Sequence, residues 1–224
     1  MRQLNNSTKL FALAAMLCGA GIANAQLIVI DQFSESVDLT DTPWAQTVTL
    51  PKYNPADYGG SVLAEIMFTL DGEAESNVDL TAVTDSSVLE GEVGAIVTAS
   101  NSNLGLELNA LPMGTYAPPA IAVAAGSTTT LADVSGMDTD MVTFVGEAMA
   151  PYTGEGTFTV DLSALGSSFQ KLAGGNVDVS HRTRALADLS VIYKVAEVVP
   201  EPNARSQAIM LFGLLGICGF RRRR

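Results

Sequence analysis

Apolar side chains recur at every second position through the middle of this chain, and a period of two commits a segment to β-strand. Val62, Ala64, Ile66, Phe68 and Leu70 form one such row, and Phe158, Val160 and Leu162 alternate with Thr157, Thr159 and Asp161. The same alternation runs through Val48 and Leu50, through Val78, Leu80 and Ala82, through Val177 and Val179, and from Ala187 through Leu189, Val191 and Tyr193 to Val195. Successive residues of a strand point to opposite sides, so each row lies on one face of a sheet. Turn signals separate the rows: Gly59-Gly60, Asp71-Gly72, Gly114, Pro118-Pro119, Gly126 and Gly174-Gly175. About ten short strands punctuated in this way predict an all-β fold, an antiparallel β-sandwich of jelly-roll or immunoglobulin-like layout. Only Ser163 to Leu172 lacks the pattern, and a helix and a loop both remain open there. There is no internal repeat.

The two ends read differently. Arg2 and Lys9 precede an apolar run from Leu10 to Ile22, and Ala23-Asn24-Ala25 before Gln26 is a small-x-small cleavage site. Residues 1–25 are therefore expected to be a signal peptide, a helix removed by signal peptidase to leave Gln26 at the start of the mature chain. Cys18 follows Leu17 inside the apolar run, which does not fit the small residue that precedes a lipidated cysteine. At the other end stand Val199-Pro200-Glu201-Pro202, an uncharged run from Ala208 to Phe220, and Arg221, Arg222, Arg223 and Arg224. Thirteen helical residues cover only ~20 Å of a ~30 Å hydrocarbon core. A transmembrane helix over about 206–220 is thus short for a lasting anchor, and the arginines would hold its C-terminal end on the cytoplasmic side. Pro200 and Pro202 keep their neighbours extended, which separates the folded domain from the helix and leaves a peptide open to cleavage.

Val199, Pro200, Glu201 and Pro202, the short apolar span and the terminal arginines together resemble the PEP-CTERM sorting signal of Gram-negative bacteria. The resemblance covers about a tenth of the chain and rests on the order of its three parts. It implies recognition by an exosortase, export across the inner membrane, transient anchoring by the C-terminus, and a final place at the cell surface or outside the cell. Exosortase systems accompany exopolysaccharide production, so the resemblance also implies a setting in matrix or biofilm, with exopolysaccharide as a candidate partner.

Between the two ends, residues 26–198 make a domain of different character. Both cysteines, Cys18 and Cys218, lie outside it, so it needs no disulfide. Its length, roughly 170 residues, suffices for a self-supporting core. Five of the 12 Lys and Arg fall within it, against every one of the 24 Asp and Glu except Glu201, which makes it more acidic than the whole-chain charge of −12. Such a surface repels nucleic acid and anionic membranes and favours solubility. Leu50-Pro51-Lys52-Tyr53-Asn54-Pro55, Gly59 and the row from Val62 to Leu70 resemble the opening of a choice-of-anchor E domain. Phe144-Val145-Gly146, Gly156-Thr157-Phe158-Thr159-Val160 and the strand from Leu189 to Tyr193 occupy the places of that family's later segments. Tyr58 stands where the family usually has Leu. The likeness implies a surface β-sandwich and brings no catalytic residues.

Chemistry is sparse. His181 is the sole histidine and the domain has no cysteine, which excludes Cys-His catalysis and His- or Cys-rich zinc sites. Asp178-Val179-Ser180-His181 reads as a strand end, where a surface histidine is expected rather than a catalytic base. Arg182 and Arg184 share a face and could grip an anion, although pairing with nearby carboxylates is the plainer use. Asp71, Glu73, Glu75 and Asp79 form the densest acidic segment and Asp138 with Asp140 a second, but neither completes a calcium-loop pattern. Trp44, Tyr53, Tyr58 and Tyr116 are candidates for a sugar platform or for core packing. No metal set and no cofactor are indicated. The leading expectation is a non-enzymatic exported protein; the alternatives are a carbohydrate-binding module and a glycan hydrolase with two close carboxylates.

Overall fold

The computed structural model describes residues 26–173 and 175–197. The chain divides into a body, Val29–Val195, and a second unit formed by its two ends, of which residues 26–28 and 196–197 are described. Ten strands follow in order: β1 (Gln26–Asp41), β2 (Trp44–Pro51), β3 (Leu63–Ala82), β4 (Ser86–Asn101), β5 (Leu106–Ala110), β6 (Met113–Ala117), β7 (Ile121–Val123), β8 (Thr128–Phe144), β9 (Thr157–Ala173) and β10 (Val177–Glu197). One sheet has the order β1-β10-β3-β8, the other β2-β9-β4-β5, with β6 and β7 also paired to β4. The ladders β10–β3, β3–β8, β2–β9 and those of β4 with β5, β6, β7 and β9 are antiparallel, and β5, β6 and β7 succeed one another along a single edge of β4. The result is an all-β sandwich.

The alternating rows supply the inner faces. Ile66, Phe68, Leu70, Val78 and Leu80 of β3 are buried, as are Ala187, Leu189, Val191 and Tyr193 of β10 and Val160 and Leu162 of β9. The count of strands agrees with expectation, but their lengths do not. β3 runs for 20 residues and β10 for 21. Asp71-Gly72, read from sequence as a turn, lies inside β3. A Cβ on Gly72 would stand 3.1 Å from that of Ala110, tighter than ordinary contact, so close packing of the facing strand, not a turn, favours glycine there. Gly114 likewise lies within β6. Val62 is 80% exposed, and a register shift in the β3–β10 ladder turns Leu63 inward in place of Ala64. The ambiguous segment Ser163–Leu172 is strand, paired along β4.

Two clusters make the core, and small or polar residues divide them. The larger surrounds Phe68, Phe158, Tyr152 and Phe144, whose rings meet at centroid distances of 5.1 to 5.9 Å. The smaller comprises Val78, Leu80, Val88, Val93, Val123 and their neighbours. Between them on β3 and β10 are Ser76 and Thr183, buried and joined hydroxyl to hydroxyl at 2.8 Å. At the same level the β1–β2 corner crosses between sheets: Thr42 donates its N–H to the Thr183 carbonyl at 2.9 Å, and Gly166 leaves room for the Thr42 hydroxyl. Trp44, starting β2, then donates its indole N–H to the Ala185 carbonyl of β10 at 3.1 Å. Tyr193 of β10 donates to the Pro51 carbonyl of β2 at 2.6 Å.

The opposite flank is closed by a different device. Asp138 and Asp140 are ladder partners of Gly72 and Leu70, so they point inward from edge strand β8. Asp138 accepts the Leu111 N–H at 2.7 Å and Asp140 the Asn109 N–H at 2.8 Å. Charge turned inward at a sheet edge blunts that edge, and here it also ties it to the other sheet. Gly136 of β8 sits against the backbone of Met113, and Gly114 against that of Ser135, where any side chain would collide.

Candidate functional site

The sequence's site candidates separate into two groups. Val199, Pro200, Glu201, Pro202, Phe220, Arg221, Arg222, Arg223, Arg224, Ala23 and Ala25 lie outside the described residues, as does the apolar run 208–220; Gln26 is the first residue of β1. Among the described residues, no helix is long and apolar enough to cross a membrane.

The remaining candidates lie in the body. Arg182 and Arg184 project from the outward face of β10. Arg184 forms an ion pair with Glu75 of β3, and Arg182 reaches across to Asp41 of β1 with both Nε and Nη2. The Arg182 guanidinium holds the Asp41 carboxyl below its ordinary range, and Asp41 in turn raises Arg182. Both arginines border an open concavity of about 320 Å³ whose other walls are Glu75, Ser76, Asn77 and Asp133. A bulge makes it: Ser76 pairs with Val134 and Val78 with Leu131, so Ala132 and Asp133 both oppose Asn77. Asp133 takes the left-handed conformation, φ 57°, and its N–H meets the Asn77 side-chain oxygen at 3.3 Å. Sequence gave no signal for Asn77, Asp133 or Asp41, because the bulge depends on how β8 registers against β3. The concavity offers two guanidinium groups, but each already faces a carboxylate; an anion entering there would have to displace one.

The acidic segments do not converge. Asp71, Glu73, Glu75 and Asp79 share the outward face of β3, yet three of them, Asp71, Glu75 and Asp79, answer to different neighbours. Asp71 accepts from Thr139 at 2.5 Å, Asp79 from Thr130 at 2.6 Å, and Glu75 pairs with Arg184. On the inner side, Asp140 is engaged by Asn109 of β5 and Asp138 by Leu111 just after it. Asp71 and Asp188 stand directly opposite in the β3–β10 ladder. Burial, and then the charge of Asp71, raises the Asp188 carboxyl above its usual range. That carboxylate pair lies on an outward sheet face. No group of three or more His, Cys, Asp or Glu among the described residues is disposed to hold a metal ion.

The aromatic candidates serve packing. Trp44 and Tyr53 are buried. Tyr53 stacks on Tyr58 at 5.1 Å, and Tyr58 donates to Asp31 at 2.5 Å, a bond that together with partial burial pushes its hydroxyl up to about 12. Tyr116 covers Gly91, and its buried hydroxyl has no partner among the described residues. These four rings do not form one exposed platform. A second hollow, about 330 Å³ and mainly apolar, lies beside Tyr53 between Pro55, Val62, Leu63, Met149 and Ala150. His181 is exposed near the start of β10, opposite Val78.

No family model and no curated protein matches this sequence. Among solved structures, two of infectious bursal disease virus are similar in part. The Gx strain structure is 8% identical over 83% of this chain and 48% of that one, with a TM-score of 0.17. The Gt strain structure is 10% identical over 89% and 51%, with a TM-score of 0.15. The chain thus spans about half the length of each.

Proposed function

We propose that this chain is a non-enzymatic exported protein, delivered to the cell surface or the extracellular matrix of a Gram-negative bacterium and processed at its C-terminus. The observation that carries the reading is the order Pro200-Glu201-Pro202, apolar run Ala208 to Phe220, Arg221 to Arg224 at the end of the sequence, matched at the other end by a cleavable leader. On this reading residues 1–25 form a signal helix and 206–220 a transmembrane helix that exists until an exosortase cuts near the Pro-Glu-Pro. Exopolysaccharide is the proposed setting. The acidic body between them is the cargo. We further infer a jelly-roll rather than an immunoglobulin-like layout, supported by the nesting of pairs β1–β10, β2–β9, β3–β8 and β4–β5, alternating between the sheets as in a single long hairpin rolled up on itself.

The test is the intact mass of the native protein recovered separately from membranes and from culture medium. A chain starting at Gln26 and ending between Pro200 and Arg205 is expected. A mass that retains Arg224 in every fraction would sink the sorting reading.

A further inference from the structure

β9 outlasts its neighbour. β2 pairs with it from Pro51 to Trp44, whose partner is Ala164, while β9 continues to Ala173. Beyond Ala164 it is held on one side by β4, and among the described residues no strand pairs with its other side, where the β1–β2 corner reaches only as far as Thr42 against Gly166. This free edge is also apolar. Leu165 is 58% exposed, Phe169 53% and Leu172 36%. Leu165 and Phe169 lie on the same outward face, and Ile96, the ladder partner of Leu165, extends the patch onto β4. A long strand edge with apolar side chains invites another strand.

Charge indicates which strand. Acids outnumber bases by 24 to 12 in the whole chain, and two copies would repel through most of their surfaces. The run from Leu162 to Val177 has no Asp or Glu. Its one cation, Lys171, pairs with Glu90 at 2.9 Å, leaving Glu92, the ladder partner of Phe169, one strand in from the edge. Edge strand β1 carries Asp31, Glu35, Asp38 and Asp41, and β8 carries Asp133, Asp138 and Asp140. β2 is free of acid too, but it is bounded by Pro43 and Pro51, and its exposed side chains are the small or polar Ala45, Gln46, Thr47 and Thr49.

We propose that a second copy of this chain adds to this edge, β9 to β9, antiparallel about a two-fold axis through Phe169. That register sets Phe169 against Phe169, Leu165 against Ala173 and Lys171 against Ser167, an aromatic cross-strand pair with no like charges opposed. The interface is isologous, so it closes at a dimer and joins the two β2-β9-β4 sheets through their β9 strands. It does not depend on how the chain is exported.

The test uses the full chain in a mild non-ionic detergent with Cys18→Ser and Cys218→Ser, so that only introduced thiols react. Phe169→Cys is expected to give, on mild oxidation, a dimer whose linked peptide joins position 169 to itself, while Thr47→Cys on the β2 edge does not. Phe169→Lys, at an exposed position that leaves the urea midpoint unchanged when measured below dimerising concentration, should raise the dimer dissociation constant about tenfold or more in sedimentation. Linkage at 169 no greater than at 47, or a dimer whose dissociation constant ignores Phe169→Lys, would overturn the proposal.

Discussion

Single carboxylates in this protein have distinct tasks, set by which side of a strand they occupy. Asp138 faces inward and serves as acceptor for the Leu111 N–H at 2.7 Å. Asp138→Ala should remove that cross-sheet bond at an exposed position, where water takes up the donor, and lower the unfolding free energy by about 1 kcal/mol or less, with Asp138→Asn, which keeps an acceptor oxygen, costing less; urea unfolding of both variants checks the order. Asp188 faces outward against Asp71, and its raised carboxyl means that ionising it works against the fold. Acidification through its elevated folded pKa protonates Asp188 and relieves that penalty. Asp188→Asn should therefore stabilise at pH 7, by about 0.5 kcal/mol as for other opposed like charges, and the advantage should fade as pH falls into the carboxylate range. Equal gains at pH 7 and pH 3 would contradict this account.

At the scale of elements, the flank between β8 and the β5–β6 edge depends on glycine at positions without unusual dihedrals. Gly136 and Gly114 are needed because backbone of the other sheet occupies the space of a Cβ. Gly136→Val should cost more than about 3 kcal/mol, or prevent folding, because overpacking against backbone cannot be relieved by a rotamer change. Gly105→Ala is a useful control. Its φ of 67° strains a side chain but no atom lies within 4 Å, so it should cost only about 1 kcal/mol. Thermal melts of the two variants distinguish packing from dihedral strain. Alternation in the sequence located β3, β9 and β10 because burial on one face alone produces period two. It failed at Asp71-Gly72 and at Ser163–Leu172, where small residues answer to a neighbour distant in sequence: Ala110 for Gly72, Thr42 and β4 for the second segment.

Over the whole molecule, the sandwich has two unequal halves on either side of the Ser76–Thr183 pair. One is framed by β1 and β2 and filled by the aromatic cluster; in the other, β9 and the start of β10 run on past Trp44 and Asp41. Backbone hydrogen bonds under a packed, doubly flanked strand open less often than those at a free edge. Amides of β9 from Thr157 to Ala164 should accordingly exchange more slowly than those from Leu165 to Ala173 by tenfold or more, read by hydrogen exchange at a concentration below dimer formation. Uniform protection along β9 would show that the two halves open together. The Arg182–Asp133 concavity and the β9 edge have no local signature, in contrast to the proposed sorting signal, whose reading rests on contiguous residues alone.

What the residues alone determined is whatever depends on near neighbours in the chain. The period of two specified strands and their buried faces, the scarcity of His and Cys removed whole classes of chemistry, and the ordered tail gave an address expectation. Only the tertiary structure decided that Asp138 and Asp140 tie two sheets together, that Arg182 and Arg184 are each matched by a carboxylate, and that β9 outruns β2. Each of these depends on register between strands up to 141 residues apart, as with Asp41 and Arg182. Register is set by the packing of all faces at once, and a one-residue slip reverses which side every residue occupies.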